Sequence, residues 1–139
     1  MNLFETVDTI INTCKAQPNI NTAYEGSVYD LNDKQDIRYG ACVVTQRSHS
    51  EDEDNRTYRF YVFAVDRLLN DKSNRLEVQS WALDTLSNVF ASLRQNEDFV
   101  IENINYVMFT ERFDSECAGA YAEVDIITDY ENYCSENYN

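Results

Sequence analysis

Residues 3–17 place Leu3, Phe4, Val7, Ile10, Ile11 and Cys14 at three- and four-residue intervals, with Glu5, Asp8, Thr9 and Lys15 between them. That spacing predicts an amphipathic helix. Asn2 followed by Glu5 forms a capping-box pattern at its start, and Pro18 with Asn19 ends it. A second helical stripe runs through 74–95, where Val78, Trp81, Ala82, Leu86, Val89, Phe90 and Leu93 share one broad face suited to lying on a sheet. Asn74 and Glu77 repeat the capping-box spacing there.

The rest of the pattern has a two-residue period or none. Residues 57–66 (TYRFYVFAVD) are rich in β-branched and aromatic types and apolar on both faces, which predicts an interior strand covered on both sides. Residues 37–46 predict a strand before it, and the charged run 47–56 (RSHSEDEDNR) a hairpin loop joining the two. Strands are expected at 99–110 and 118–128; in the second, Ala120, Ala122, Val124 and Ile126 alternate with Tyr121, Glu123, Asp125 and Ile127. A polar loop, 111–117, links them. Residues 21–36 read as an extended arm or weak edge strands, and 129–139 (DYENYCSENYN) as a tail or arm. The expected fold is α+β: a mainly antiparallel sheet with two amphipathic helices packed on it, in a single domain over 1–128.

Composition narrows what such a domain does. A hydrophobic fraction of 43% and an aromatic fraction of 13%, spread along the 139 residues, allow a packed core without disulfides or metals. With 25 acidic against 11 basic residues the net charge is −14, which repels a phosphate backbone and disfavours DNA or RNA binding. The four cysteines, Cys14, Cys42, Cys117 and Cys134, are far apart with no CxxC pair and read as reduced thiols. The N-terminus carries Glu5 and Asp8 without a basic n-region, and no apolar run approaches about 18 residues, so neither export by a signal peptide nor membrane spanning is expected.

Motifs that carry chemistry are sparse. The single histidine, His49, sits among carboxylates in SHSEDED, where solvation is a commoner fate than catalysis or metal binding. An EF-hand reading from Asp52 and Asp54 fails at Arg56 and Thr57, where a carboxylate or amide and then Gly are needed. The scattered Gly26, Gly40 and Gly119 form neither a P-loop nor GxGxxG, and GxSxG and HExxH are absent. We therefore expect no enzyme, no catalytic residue, no cofactor and no metal. What stands out is aromatic and charged material suited to protein contacts: Arg47, His49, Asp52, Asp54 and Arg56; Glu111, Arg112, Phe113 and Asp114; and Tyr130 and Tyr133. For Phe113, folding back onto the core is an equal alternative.

The stretch TYRFYVFAVDRLLNDKSNRLEVQSWALDTLSNVFASL, joined to INYVMFTERFDSECAGAYAEVDIIT, resembles small tail-completion, tail-terminator or neck-ring proteins of tailed bacteriophages, particularly crAss-like phages infecting Bacteroidetes. The likeness rests on 66–69, 74–80, 109–113 and 118–124, and in element order spans 3–128. It implies a ring of six or twelve copies stacked between the portal and the tail or within the tail barrel, in a virion made in the host bacterial cytoplasm. On it, 47–56 and 111–117 are contact loops, and 21–36 and 129–139 clasps, reaching neighbouring copies and a portal-proximal ring or tail hub. A carboxylate-rich lumen would let the genome slide through without sequence-specific binding. The rival expectation is an acidic soluble adaptor or inhibitor that mimics DNA charge and binds a basic host protein. An enzyme built on an Asp and Glu pair is a further rival, and no pair of positions singles one out.

Overall fold

The computed structural model describes residues 2–27, 40–69, 71, 73–110 and 117–129. Seven elements follow in order: helix α1 (Leu3–Lys15), strands β1 (Thr22–Glu25), β2 (Ala41–Glu51) and β3 (Asn55–Arg67), helix α2 (Arg75–Leu93), and strands β4 (Val100–Thr110) and β5 (Cys117–Asp129). The five strands form one sheet in the order β1-β2-β3-β5-β4. Every neighbouring pair is antiparallel except β1 with β2, which run parallel from Thr22 opposite Ala41 to Glu25 opposite Val44. The expected α+β architecture is the one observed.

Both helices lie on the same face of the sheet. Their apolar stripes meet the inward residues of the central strands: Val7, Ile10 and Cys14 of α1 and Ala82, Leu86, Val89, Phe90 and Leu93 of α2 close over Phe60, Val62, Ala64, Ala120, Ala122, Val124 and Ile126. Helix α1 starts as its sequence predicts. The Asn2 side chain accepts a hydrogen bond from the Glu5 amide at 2.8 Å, and the Asn2 amide donates to Glu5 Oε1 at 3.3 Å. Asn19, with φ at 69°, turns the chain from α1 toward β1 in the left-handed region that Asn tolerates.

Strand β3 is buried on both faces along its second half, as expected of an interior strand. On the face away from the helices, Phe63 and Val65 join Ala41, Val43, Phe109 and Cys117 in a second buried cluster. Gly119 sits opposite Val65 because nothing larger fits: a β-carbon there would lie 2.0 Å from the carbonyl oxygen of Ala64.

Three expectations need correction. The run 47–56 is not a loop: residues 47–51 continue β2, 55–56 begin β3, and only 52–54 turn. From Gln46 onward every residue of β2 is exposed, so the alternation loses its apolar half. Asn74 is the N-cap of α2 by position, yet its side chain makes no capping hydrogen bond. It instead accepts from the Leu69 amide at 2.8 Å and donates to the Arg67 carbonyl at 3.2 Å, pinning the turn that leads out of β3. Asp129 closes β5, opposite Asn55, rather than opening a tail. Within the 21–36 segment, the described part supplies β1, an edge strand; 28–36 lie outside the described residues.

Candidate assembly surface

The end of the β2–β3 hairpin carries five of the residues singled out in the sequence. Its turn is held by Asp52, whose Oδ1 accepts from the amides of Asp54 at 3.0 Å and Asn55 at 2.8 Å, while the Asp52 amide donates to the Asn55 carbonyl at 3.0 Å. Across the strands, Arg56 opposes Glu51, and its guanidinium lies 3.1 Å from the carboxylate. His49 Nε2 is 3.4 Å from the same carboxylate, and its ring faces Tyr58 at 5.9 Å. The His49–Glu51 pair faces water, where such a contact stabilises by about 0–1 kcal/mol at most, whereas the Arg56 side chain is half-buried. Arg47 is separated from them by a bulge between Gln46 and Ser48, and its guanidinium stacks 4.7 Å from the centre of the Tyr61 ring. Arg47 therefore faces one side of the sheet while His49, Glu51 and Arg56 group on the other. Glu111, Arg112, Phe113, Asp114, Tyr130 and Tyr133 lie outside the described residues.

The sheet face away from the helices has a polar half that sequence reasoning missed. Asp125 is only 6% exposed and directly opposes Arg59, whose Nε donates to it at 2.8 Å and whose Nη2 lies at 3.4 Å. Asn103 donates to the second carboxylate oxygen at 3.0 Å from a bulge in β4, where its φ is 56°. The hydrogen bond from Arg59 holds the Asp125 carboxyl below the usual carboxylate range, with help from Asn103 and against the cost of burial. In sequence, Asp125 is one acidic residue on the outward register of an alternating strand, and its partner stands 66 positions earlier. Beyond this pair, Tyr61, Phe63, Tyr121 and Phe109 form a continuous aromatic strip, with ring centres 5.1–6.4 Å apart.

On the helix side, Leu3, Phe4, Val7 and Ile11 of α1 line an open groove of about 320 Å³ together with Asp8, Glu25 and Gln46. Cys14 and Cys42 meet in the core below, and the hydrogen bond from Cys14, with burial, pushes the Cys42 thiol well above its ordinary value. Both are buried thiols, as expected.

Several large apolar side chains face outward, among them three on β4, Leu69 after β3 and Leu76 at the start of α2. Val100 and Met108 of β4 are 54% and 55% exposed, Tyr106 is 36% exposed, and Leu76 at the start of α2 is 70% exposed. Gln79, one turn after Leu76, donates to the Phe109 carbonyl at 3.2 Å and to Thr110 Oγ1 at 3.0 Å, so the first turns of α2 stand over the end of β4. Phe4 on α1, 78% exposed, is the largest apolar group facing out elsewhere. Among the described residues no helix is long and apolar enough to cross a membrane. No protein-family model and no curated protein matches the chain.

Proposed function

We propose that this chain is a structural subunit that acts through its surfaces, assembling with copies of itself as a ring in the neck or tail of a tailed bacteriophage, the genome passing through. The observation that carries the assembly half of the proposal is the set of large apolar side chains held outward by a highly charged chain: Phe4, Leu76, Val100 and Met108 gain nothing from water and are placed to be covered. The phage half rests on the sequence resemblance over 66–69, 74–80, 109–113 and 118–124. A net charge of −14 suits a bore that must not retain a phosphate backbone. An electropositive lumen in the assembled ring would remove that part of the proposal.

A second reading draws on the α1 groove. Its apolar floor and the carboxylates of Asp8 and Glu25 suit an adaptor that seizes a basic partner protein. Light scattering behind a sizing column, on the purified chain with and without the products of neighbouring genes, separates the two. A sixfold or twelvefold mass supports the ring subunit. A monomer that stays monomeric with its neighbours and captures a basic protein through the groove supports the adaptor.

A further inference from the structure

We propose that the groove along α1 takes the apolar face of a basic amphipathic helix from another protein, whose lysines or arginines pair with Asp8 and Glu25. The inference deepens the second reading above and rests on it, and it holds whether or not the chain also assembles with its own copies.

The apolar stripe of α1 is wider than the core needs. Ile10 and Cys14 are fully buried and Val7 nearly so, while Leu3 and Ile11 are only partly covered by the same core and Phe4, 78% exposed, has no part in it. Leu3, Phe4, Val7 and Ile11 line the open groove. Leu3, Val7 and Ile11 stand four residues apart as one ridge, about 12 Å long at the helical rise, of the kind that packs against a second helix. Phe4 stands beside it, an aromatic side chain of the type that anchors interfaces once it is covered.

Size, backbone chemistry and local charge select the occupant. A volume of about 320 Å³ is at the low end of pockets that enclose a whole ligand, about 300–1,000 Å³, so the open groove suits side chains presented by a larger molecule. Its described lining is aliphatic and aromatic apart from Asp8, Glu25 and Gln46. An extended peptide laid on it would press unpaired amides against groups that do not bond them, whereas a helix arrives with its backbone hydrogen bonds made. The two charged residues in that lining are both carboxylates, one from α1 and one from the end of β1. Among the described residues no lysine or arginine lines the groove, and neither carboxylate is in an ion pair. Asp8 accepts a hydrogen bond from Asn12 at 3.4 Å, which leaves its charge uncompensated. A neutral or acidic helix seated here would desolvate both carboxylates without a partner; a helix with cationic side chains flanking its apolar face pairs them. These two groups set the sign of the partner, not the net charge of the chain.

The probe is a synthetic peptide of leucine and lysine patterned as an amphipathic helix, titrated against the full-length chain by fluorescence anisotropy beside a scrambled peptide of the same composition with no apolar face. The wild type should bind the patterned peptide and not the scrambled one. Phe4→Ala should weaken binding about tenfold or more with an unchanged thermal melt, because the ring is already exposed. Asp8→Asn with Glu25→Gln should weaken it by roughly two- to fivefold for each carboxylate. Glu53→Gln with Asp54→Asn removes the same charge at the β2–β3 turn and should leave affinity unchanged, as should Met108→Ala, another outward group on β4. If the two charge-removing pairs weaken binding equally and Phe4→Ala does nothing, net charge alone holds the peptide, and both the proposal and the adaptor reading fall. If the scrambled peptide binds as well as the patterned one and both need Phe4, the groove reading stands and the helical partner is overturned. A wild-type chain that binds neither peptide would overturn the proposal, as would one whose mass doubles in light scattering through Phe4, which would seat a second copy in the groove.

Discussion

Strands β3 and β4 are close in length and in kind, 13 and 11 residues rich in aromatic and β-branched types, and their fates are opposite. In β3, Tyr58, Phe60, Val62, Phe63, Ala64 and Val65 are all buried, because β2 and β5 flank the strand and the helices close over one face. In β4, Phe109 alone reaches that state, while Val100, Tyr106 and Met108 face water. Composition therefore does not decide burial here; place in the sheet does. An apolar side chain on β3 works for the fold of one chain, and the same type on β4 is free to work for a contact between chains.

The sharpest way to break that comparison is to cut the same kind of group from both strands. Phe60→Ala should destabilise the chain by about 3–5 kcal/mol, measured by denaturant titration, since it opens a cavity between helices and sheet that cannot fully collapse. An effect below 1 kcal/mol would mean that β3 is not the centre of the core. Gly119→Ala comes next, at about 3 kcal/mol, because the new β-carbon meets backbone of β3 rather than a side chain that can swing aside. A stable Gly119→Ala variant would show that β3 and β5 can separate at this point without losing the fold.

Asp125→Asn sharpens the comparison on the other face, where Arg59 of β3 and Asn103 of β4 meet at one carboxylate. At neutral pH the cost should be about 1–2 kcal/mol, small because Arg59 is half-exposed and water takes back part of what the pair supplies. The folded carboxyl is depressed below its unfolded value, about 3.9 for Asp. Its contribution is therefore present above that value and is lost as pH falls through the lower, folded one. The gap between wild type and variant in denaturant midpoint should close from pH 7 toward pH 2; a gap that widens in acid would contradict the assignment. Smallest of all is Met108→Ala, which should change monomer stability by less than about 0.5 kcal/mol.

Much of the fold was legible because its elements face one core. The stripe from Val78 to Leu93 and the alternation from Ala120 to Ile126 are both marks of a single buried side. The reading failed where that side runs out: residues 47–51 of β2 are all exposed, and a strand with no apolar alternation looks like a loop. Asn74 was misread as a side-chain cap because its true partners, Leu69 and Arg67, are chosen by how the turn folds back rather than by helical spacing. The candidate surface was the least legible part. Nothing in residues 105–110 (NYVMFT) tells that their strand is at the margin, since the order β5 before β4 in the sheet is set by long-range pairing, and the Arg59–Asp125 pair depends on the same register.

Hydrogen exchange followed by mass spectrometry, run on the wild-type chain at low and at high concentration, tests most directly whether the outward apolar side chains join copies. The account predicts that peptides carrying them, from α1, the start of α2 or β4, gain protection as concentration rises while those covering β3 exchange slowly and equally at both. Exchange that is the same at both concentrations in all of these peptides would contradict it.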